Sequence, residues 1–345
     1  MNRKIRIGSR DSVLAIRQAQ ILIDTINANH PHMETELVLI KTTGDKLLDI
    51  RLDQVGGKGL FIKELEQALL AKRIDLAVHS YKDMPYEGNQ ELPIIAVSKR
   101  ESPFDVLVLP DRIQQSLIQE LHGSDVSVTS PGSIQQLMQE VSDGGFSNAM
   151  SLAKVMQESL RFDGHGKPVG TCSHRRALQF AHLCPDVKIG SIRGNVLTRL
   201  QKLDRGEYSA LILAEAGLNR LAMQHRISYR FSIDEMIPAG SQGILAVQGR
   251  RGEEYPYLSG FHCRDTKRIS VGERGFLKSL AVGCSSPVGV YGRLSGQALD
   301  TLELTGMYVD ANGRMHKGTI AGEAGQGEQL GEALAREIIN QSVSS

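Results

Sequence analysis

The stretch Asp75-Leu76-Ala77-Val78-His79-Ser80-Tyr81-Lys82-Asp83-Met84-Pro85 decides how this chain is read. Ile74–His79 is apolar enough to be covered on both faces, the pattern of a central parallel strand. It turns polar at once, at Ser80, Lys82 and Asp83, and a proline closes the turn. Upstream, Lys4–Ile7 reads as a strand. Ser12 caps a helix that runs to about Asn29 and ends at His30-Pro31. Glu34–Lys41 is a second strand. Phe61–Arg73 is a helix, with Phe61, Ile62, Leu65, Leu69 and Leu70 on a 3.6-residue period. The order is βαβαβ, which implies a parallel sheet with right-handed crossovers.

Glu101-Ser102-Pro103 marks a boundary. Beyond it, Val106–Leu109 is a strand, Ser173–His182 a helix, Val187–Ile192 a strand, Asn195–Arg205 a helix and Ser209–Ala214 a strand. These form a second α/β unit. Ile237–Val247, apolar and glycine-containing, is expected to return to the first sheet. Two α/β lobes joined by two crossings would make a hinged cleft, with ligands at the carboxyl ends of the strands. From about Tyr257 the pattern changes. A helix runs to Leu280, strands lie near Val288–Arg293 and Leu302–Val309, and Asn312-Gly313 is a hairpin turn signal. Gly322–Gly331 reads as a loop and helix start, and Gln326–Asn340 as a last amphipathic helix. The expected domains are 1–102 with 237–252, then 103–236, then a small α+β domain at 253–345.

The chain has 345 residues, 41% of them apolar, enough for two or three domains with proper cores. Forty basic side chains nearly cancel thirty-nine acidic ones. Such a balance is not built around phosphate-backbone neutralisation, so no nucleic-acid partner is expected. Cys172, Cys184, Cys263 and Cys284 show no CxxC spacing. Zinc and dithiol readings therefore fail, no metal is expected, and the absence of a disulfide framework suits a reducing compartment. No apolar stretch reaches signal-peptide or membrane-span length, so a cytoplasmic protein is expected, without membrane contact.

Three loops follow strands, open helices, and carry arginine beside small hydroxyl residues. They are Gly8-Ser9-Arg10-Asp11-Ser12, Gly170-Thr171-Cys172-Ser173-His174-Arg175-Arg176, and Ser191 through Arg199, with arginines at 193 and 199. Helix N-termini attract anions, and the arginine fork grips them bidentately. Phosphate and carboxylate fit this pattern equally. Val55-Gly56-Gly57-Lys58-Gly59-Leu60-Phe61 lacks the GxxxxGK[ST] of a nucleotide loop, which leaves Lys58 as a further anion contact. Asp83, at the end of a central strand, is suited to stabilising a developing cation and moving a proton. Lys82 beside it would neutralise a substrate carboxylate, and His79 reads as structural. Cys284 sits on a turn, after Ala281-Val282-Gly283 and before Ser285-Ser286-Pro287, where a thiol can face a neighbouring domain.

Taken together, IGSRDS, VGGKGLF, DLAVHSYKDMP, GTCSHRR, SIRGNVLTRLQKLDRGEYSALILAEAGLNRL, IPAGSQG and ERGFLKSLAVGCSSPVG resemble the hydroxymethylbilane synthase, or porphobilinogen deaminase, family. They run in family order along most of the chain. The resemblance implies two doubly wound α/β lobes like those of periplasmic binding proteins, plus a small C-terminal α+β domain. It implies a monomeric transferase of tetrapyrrole synthesis, serving haem, sirohaem or corrin. Such an enzyme condenses four porphobilinogens, releases ammonia at each step and frees hydroxymethylbilane by hydrolysis. Its primer is a dipyrromethane cofactor, thioether-linked to the cysteine that aligns with Cys284. By the same resemblance, Ser80, Lys82, Thr171, Ser173, Arg175, Arg176 and Arg193 hold the cofactor. Arg10, Ser12, Lys58 and Arg199 bind substrate, and Asp83 is catalytic. Substrate acetate and propionate groups explain the arginines, and positive charge spread onto pyrrole N–H groups explains Asp83.

The chain departs from the family pattern at Val282, Ser286 and Leu197. It also has extra length over roughly Gly123–His165, with helices expected at Gln135–Val141 and Met150–Leu160. These departures keep open the alternative of a non-catalytic or degenerate two-lobed paralogue that binds oligopyrroles or other anions.

Overall fold

The computed structural model describes residues 4–41, 62–115, 166–280, 287–310 and 312–344. The chain divides into two compact units, one of residues 1–103 with 237–345 and one of residues 104–236.

The first unit opens with β1 (Ile5–Ser9), α1 (Val13–Asn29), β2 (Thr35–Leu39), α2 (Lys63–Leu70), β3 (Leu76–Ser80) and β4 (Ile94–Val97). Ser12 caps α1 as its sequence suggests, its Oγ accepting from Ala15 N at 3.3 Å. The second unit holds β5 (Asp105–Val108), β6 (Val169–Gly170), α3 (His174–Leu183), β7 (Ile189–Gly190), α4 (Val196–Asp204), β8 (Ala210–Ala214), α5 (Glu215–Arg220) and β9 (Tyr229–Arg230). The chain then re-enters the first unit as β10 (Leu245–Gln248). It continues with α6 (Arg264–Ser279), β11 (Val288–Ser295), β12 (Thr301–Val309), β13 (Met315–Glu323) and α7 (Gly327–Ser344).

The first sheet has the order β2-β1-β3-β10-β4, with β1 parallel to β2 and β3. Ile237–Val247 does return to it. However, β10 runs antiparallel to both β3 and β4, so the sheet is mixed and not the all-parallel one expected. The second sheet repeats the plan as β7-β6-β8-β5-β9, with β5 antiparallel to β8 and β9. The crossing strand is the antiparallel one in each sheet, because it comes from or leaves for the other unit without a covering helix that would reverse it. Val187–Ile192 shrinks to the two residues of β7. The third sheet is the meander β11-β12-β13. Its second turn contains Asn312-Gly313, with Gly313 at φ +79°. Gly322 belongs to β13 rather than to a loop, and α7 starts at Gly327.

Strand β3 is covered on both faces. Leu76 and Val78 pack with Leu22, Ile26 and Val247, while Ala77 packs with Leu65, Leu69 and Ile74. Arg250 closes the far end of this layer. Its Nη1 donates to Leu69 O at 2.9 Å, in the last turn of α2, and to Ile74 O at 2.7 Å just beyond it.

His79 lies in this buried strand. Desolvation pushes its imidazole down from 6.5 to about 4, opposed by Gln248 and helped by the charge of Arg10. The unfolded chain takes up this proton below about 6.5, while the folded chain refuses it until about 4. Stability should therefore fall as pH drops through that window, by about 3 kcal/mol from this residue. Urea midpoints measured between neutral and mildly acidic pH should slope less in His79→Gln than in the parent protein. An unchanged slope would remove His79 from the account.

Candidate active site

In the first unit, the carboxyl ends of β1 and β3 lie side by side, with Gly8 in register with Ala77. A Cβ on Gly8 would come within 2.3 Å of Ile74 Cδ1 and 3.2 Å of Leu65 Cδ2, so any larger residue would make these side chains shift. The chain leaves β1 through Ser9 and half-buried Arg10, then enters α1 at its cap, Ser12. Beside it, β3 ends in a single 3-10 turn, Tyr81–Asp83, anchored by Tyr81 N donating to Ile244 O at 3.0 Å. On that turn Asp83 is exposed and Lys82 half-buried, its Nζ donating to Gln242 Oε1 at 3.2 Å. Arg10, Ser12, Ser80, Lys82 and Asp83 thus share one end of this sheet.

Two further side chains shape this end. Gln18, buried on α1, donates through Nε2 to Ser80 Oγ at 3.1 Å. Its signal in the sequence is position: it falls on the buried stripe with Ala19, Leu22, Ile23 and Ile26, where an amide needs a partner. Arg274, on α6, stands over the Tyr81 ring at 4.5 Å and near that of Tyr86 at 5.7 Å, and donates to Pro85 O. It thereby clasps both sides of the turn that carries Lys82 and Asp83.

The second unit has its own cluster. Ser173 caps α3, its Oγ accepting from Arg176 N at 3.4 Å, and its N donates to Thr171 Oγ1 at 3.2 Å. Arg175 and Arg176, in the first turn, are 5% and 6% exposed. Both reach one carboxylate, Asp105 at the start of β5, which is wholly buried. Arg175 Nη1 donates to Oδ2 at 2.6 Å, while Arg176 donates to Oδ1 through Nε at 3.0 Å and Nη2 at 2.8 Å. Arg176 Nη1 also donates to Ile212 O at 3.1 Å. Asp105 neutralises one of two positive charges, so the cluster keeps a net charge of about +1.

In the third arginine loop, Gly194 has φ +109°, and a Cβ there would lie 2.7 Å from Thr198 Cγ2. Asn195 caps α4, and Arg199 Nε donates to Gly194 O at 2.8 Å. Half-buried Arg193 precedes the glycine, and Leu197 sits in the first turn of α4 without disturbing its cap. Lys58, Cys284, Val282, Ser286 and the segment 123–165 lie outside the described residues. No group of acids, histidines and cysteines among the described residues is arranged to hold a metal ion. Nor is any described helix long and apolar enough to cross a membrane.

Two mixed sheets of one winding, each presenting arginine or lysine at strand carboxyl ends, define an α/β protein with cations gathered at those ends. Residues 5–256 match the family model "Porphobilinogen deaminase, dipyromethane cofactor binding domain", and residues 268–340 match "Porphobilinogen deaminase, C-terminal domain". The porphobilinogen deaminase of Acetivibrio thermocellus is 46% identical over 336 residues, covering 97% of this chain and 98% of that protein. That of Alkaliphilus oremlandii is 44% identical over 335 residues, covering 97% and 96%. The chain belongs to the porphobilinogen deaminase family.

Asp105→Asn should leave two buried guanidinia facing a neutral amide. Breaking a buried pair in this way costs about 3–5 kcal/mol. A thermal melt of the variant should therefore show a clear loss of stability. A midpoint equal to that of the parent would mean that Asp105 is not what holds the two arginines.

Proposed function

We propose that this chain condenses four porphobilinogen molecules head to tail, with loss of ammonia at each, and releases hydroxymethylbilane for tetrapyrrole synthesis. The observation that supports this most is the family match over nearly the whole chain, at 46% identity to a named porphobilinogen deaminase. In this reading the chain works as a cytoplasmic monomer on a small molecule, with no nucleic-acid partner. Residues 1–102 with 237–252, 103–236 and 253–345 are its three domains.

The donor set fits a dipyrromethane cofactor, whose acetate and propionate groups make it a polyanion. Lys82, Arg175, Arg176 and Arg193 are cations, and Ser80, Thr171 and Ser173 add hydroxyl groups beside them. When bound, through a thioether to Cys284, this group supplies the pyrrole end to which each new unit is joined. Asp105 holds Arg175 and Arg176 in fixed orientation before any ligand arrives, and the net charge of the three favours a carboxylate. Gln18 orients the Ser80 hydroxyl. Arg10, Ser12, Lys58 and Arg199 take the carboxylates of incoming porphobilinogen. Asp83, exposed at the end of β3, would serve the pyrrole N–H groups on which positive charge develops. It stabilises that charge and takes up or returns a proton at its carboxylate oxygens.

Intact-mass measurement of the purified protein tests the tether. The mass should exceed that of the polypeptide by one dipyrromethane, and Cys284→Ser should fold without it. An adduct that survives in Cys284→Ser would sink the assignment. Asp83→Asn keeps size and hydrogen bonding but removes the charge. With the primer in place, its turnover should fall by roughly a hundredfold or more. Near-parental turnover would end the electrostatic role.

A further inference from the structure

The motif Ile237-Pro238-Ala239-Gly240-Ser241-Gln242-Gly243 has so far been given no task. Its centre is an unusual turn. Ser241 adopts φ +62°, rare for a residue with a side chain, and Gly243 adopts φ +88°. A Cβ on Gly243 would lie 2.2 Å from Glu101 O, so the turn is pressed against the segment that leaves the first unit. Glu101 N donates to Gly243 O at 3.0 Å in the same contact. The turn throws Gln242 inward, where it is 1% exposed.

Three polar groups of Gln242 are engaged with three different parts of the unit. Oε1 accepts from Lys82 Nζ at 3.2 Å, and Nε2 donates to Pro103 O at 2.7 Å. Its backbone O accepts from Arg100 Nε at 2.9 Å. Arg100 Nη1 in turn donates to Glu273 Oε1 at 2.7 Å, and Ser241 N donates to Glu273 Oε2 at 2.6 Å. Glu273 is fully buried on α6, the helix that ends at Ser279, five residues before Cys284 in sequence. The amide cannot rotate without breaking the Lys82 and Pro103 bonds together, and the backbone cannot shift without disturbing a buried ion pair.

We propose that Gln242 is a positioning residue for Lys82: its amide, tied to Pro103 O and carried on a backbone whose carbonyl accepts from Arg100, holds the Lys82 ammonium where it meets substrate or cofactor carboxylates. The inference rests on the reading of Lys82 as a carboxylate contact. An amide suits the task because it fixes the ammonium without cancelling its charge, whereas a carboxylate there would compete with the ligand. An ammonium is a point charge on a flexible four-carbon stem, so a directed acceptor narrows where it sits. Its location is thereby made to depend on the path of the chain at Pro103, where it leaves for the second unit.

A double-mutant cycle on the cofactor-loaded protein tests this, using Lys82→Met, Gln242→Met and the double variant. Porphobilinogen turnover and the number of pyrroles attached after limited substrate addition are the two readouts. Each single variant should lose about tenfold in turnover, the scale of one charge-assisted hydrogen bond. The double variant should be no slower than Lys82→Met, because Gln242 acts only through that ammonium. Losses that multiply in the double variant, with Lys82→Met impaired, would overturn the inference and leave the role of Lys82 standing. A Lys82→Met protein as active as the parent would overturn both. Gln242→Glu provides a second cycle if Gln242→Met folds poorly. Its added charge beside Lys82 should raise KM in the parent background and leave KM unchanged in Lys82→Met. A rise of equal size in both backgrounds would count against the inference.

Discussion

The carboxylate of Glu273 ties three segments of the first unit to one point. It is 0% exposed, and its oxygens accept from Arg100 Nη1, Ser241 N and Gly292 N at 2.6–2.7 Å. Burying a charge in this way is unfavourable unless its lone pairs are filled, and here each oxygen is bonded. The arrangement joins α6 to β11 within the C-terminal meander, and both to the Ala239–Gly243 turn of the α/β part. Arg100 then passes the constraint to Gln242 O and stacks near the Tyr291 ring at 5.4 Å. The meander and α6 are therefore not joined to the α/β part by apolar contact alone. They are keyed, in one orientation, to the segment that carries Gln242.

The second unit uses the same device with the signs exchanged in number. There one buried carboxylate, Asp105, serves two buried guanidinia, where Glu273 serves one guanidinium and two backbone N–H groups. A third case closes the base of the first sheet. Asp75 accepts from Arg6 Nε at 3.1 Å and from Arg250 Nη2 at 3.1 Å, and Arg250 also pairs with Glu253. In each case the planar fork of arginine makes several directed bonds at once, which lysine cannot reproduce. The arginines of this chain thus divide into those that build the frame and those at the strand ends, and Arg175 and Arg176 belong in part to both.

That division marks the limit of what could be read in the sequence. Strand β3, the cap at Ser12, the helices opening at Ser173 and Asn195, and the hairpin at Asn312-Gly313 were legible because each is a local pattern of burial, capping or turn chemistry. The loops with Arg10, Arg175, Arg176 and Arg193 were legible for the same reason. Asp105 was not, because its partners lie 70 and 71 residues away in the chain, and Arg100 and Glu273 are 173 apart. Spacing carries no information at that distance. Glu273 did leave a trace, since it shares the buried stripe of α6 with Thr266, Ser270, Phe276 and Leu277. A charged residue on such a stripe requires a buried partner. The mixed sheets escaped for another reason. The direction of β10 depends on the unit the chain has just left, and no residue within Leu245–Gln248 records it.

The cations at the strand ends are held in two different ways, and the difference bears on how a growing anion is handled. Arg175 and Arg176 are oriented by a carboxylate, which gives rigid geometry at the expense of half their charge. Lys82 Nζ donates to a neutral amide, which itself takes none of the charge but relies on the rest of the network to keep it still. A permanently bound ligand favours the first solution, because fixed geometry matters more than strength of attraction. An amide, unlike a carboxylate, does not compete with a ligand carboxylate for the ammonium, which suits a cation that meets the cofactor or the growing chain. In the proposed reaction both kinds of ligand occur on one protein, as a tethered primer and an incoming pyrrole. A frame built on buried ion pairs then does more than stabilise the fold: it allows the two kinds of cation to stay in place while the charge around them changes.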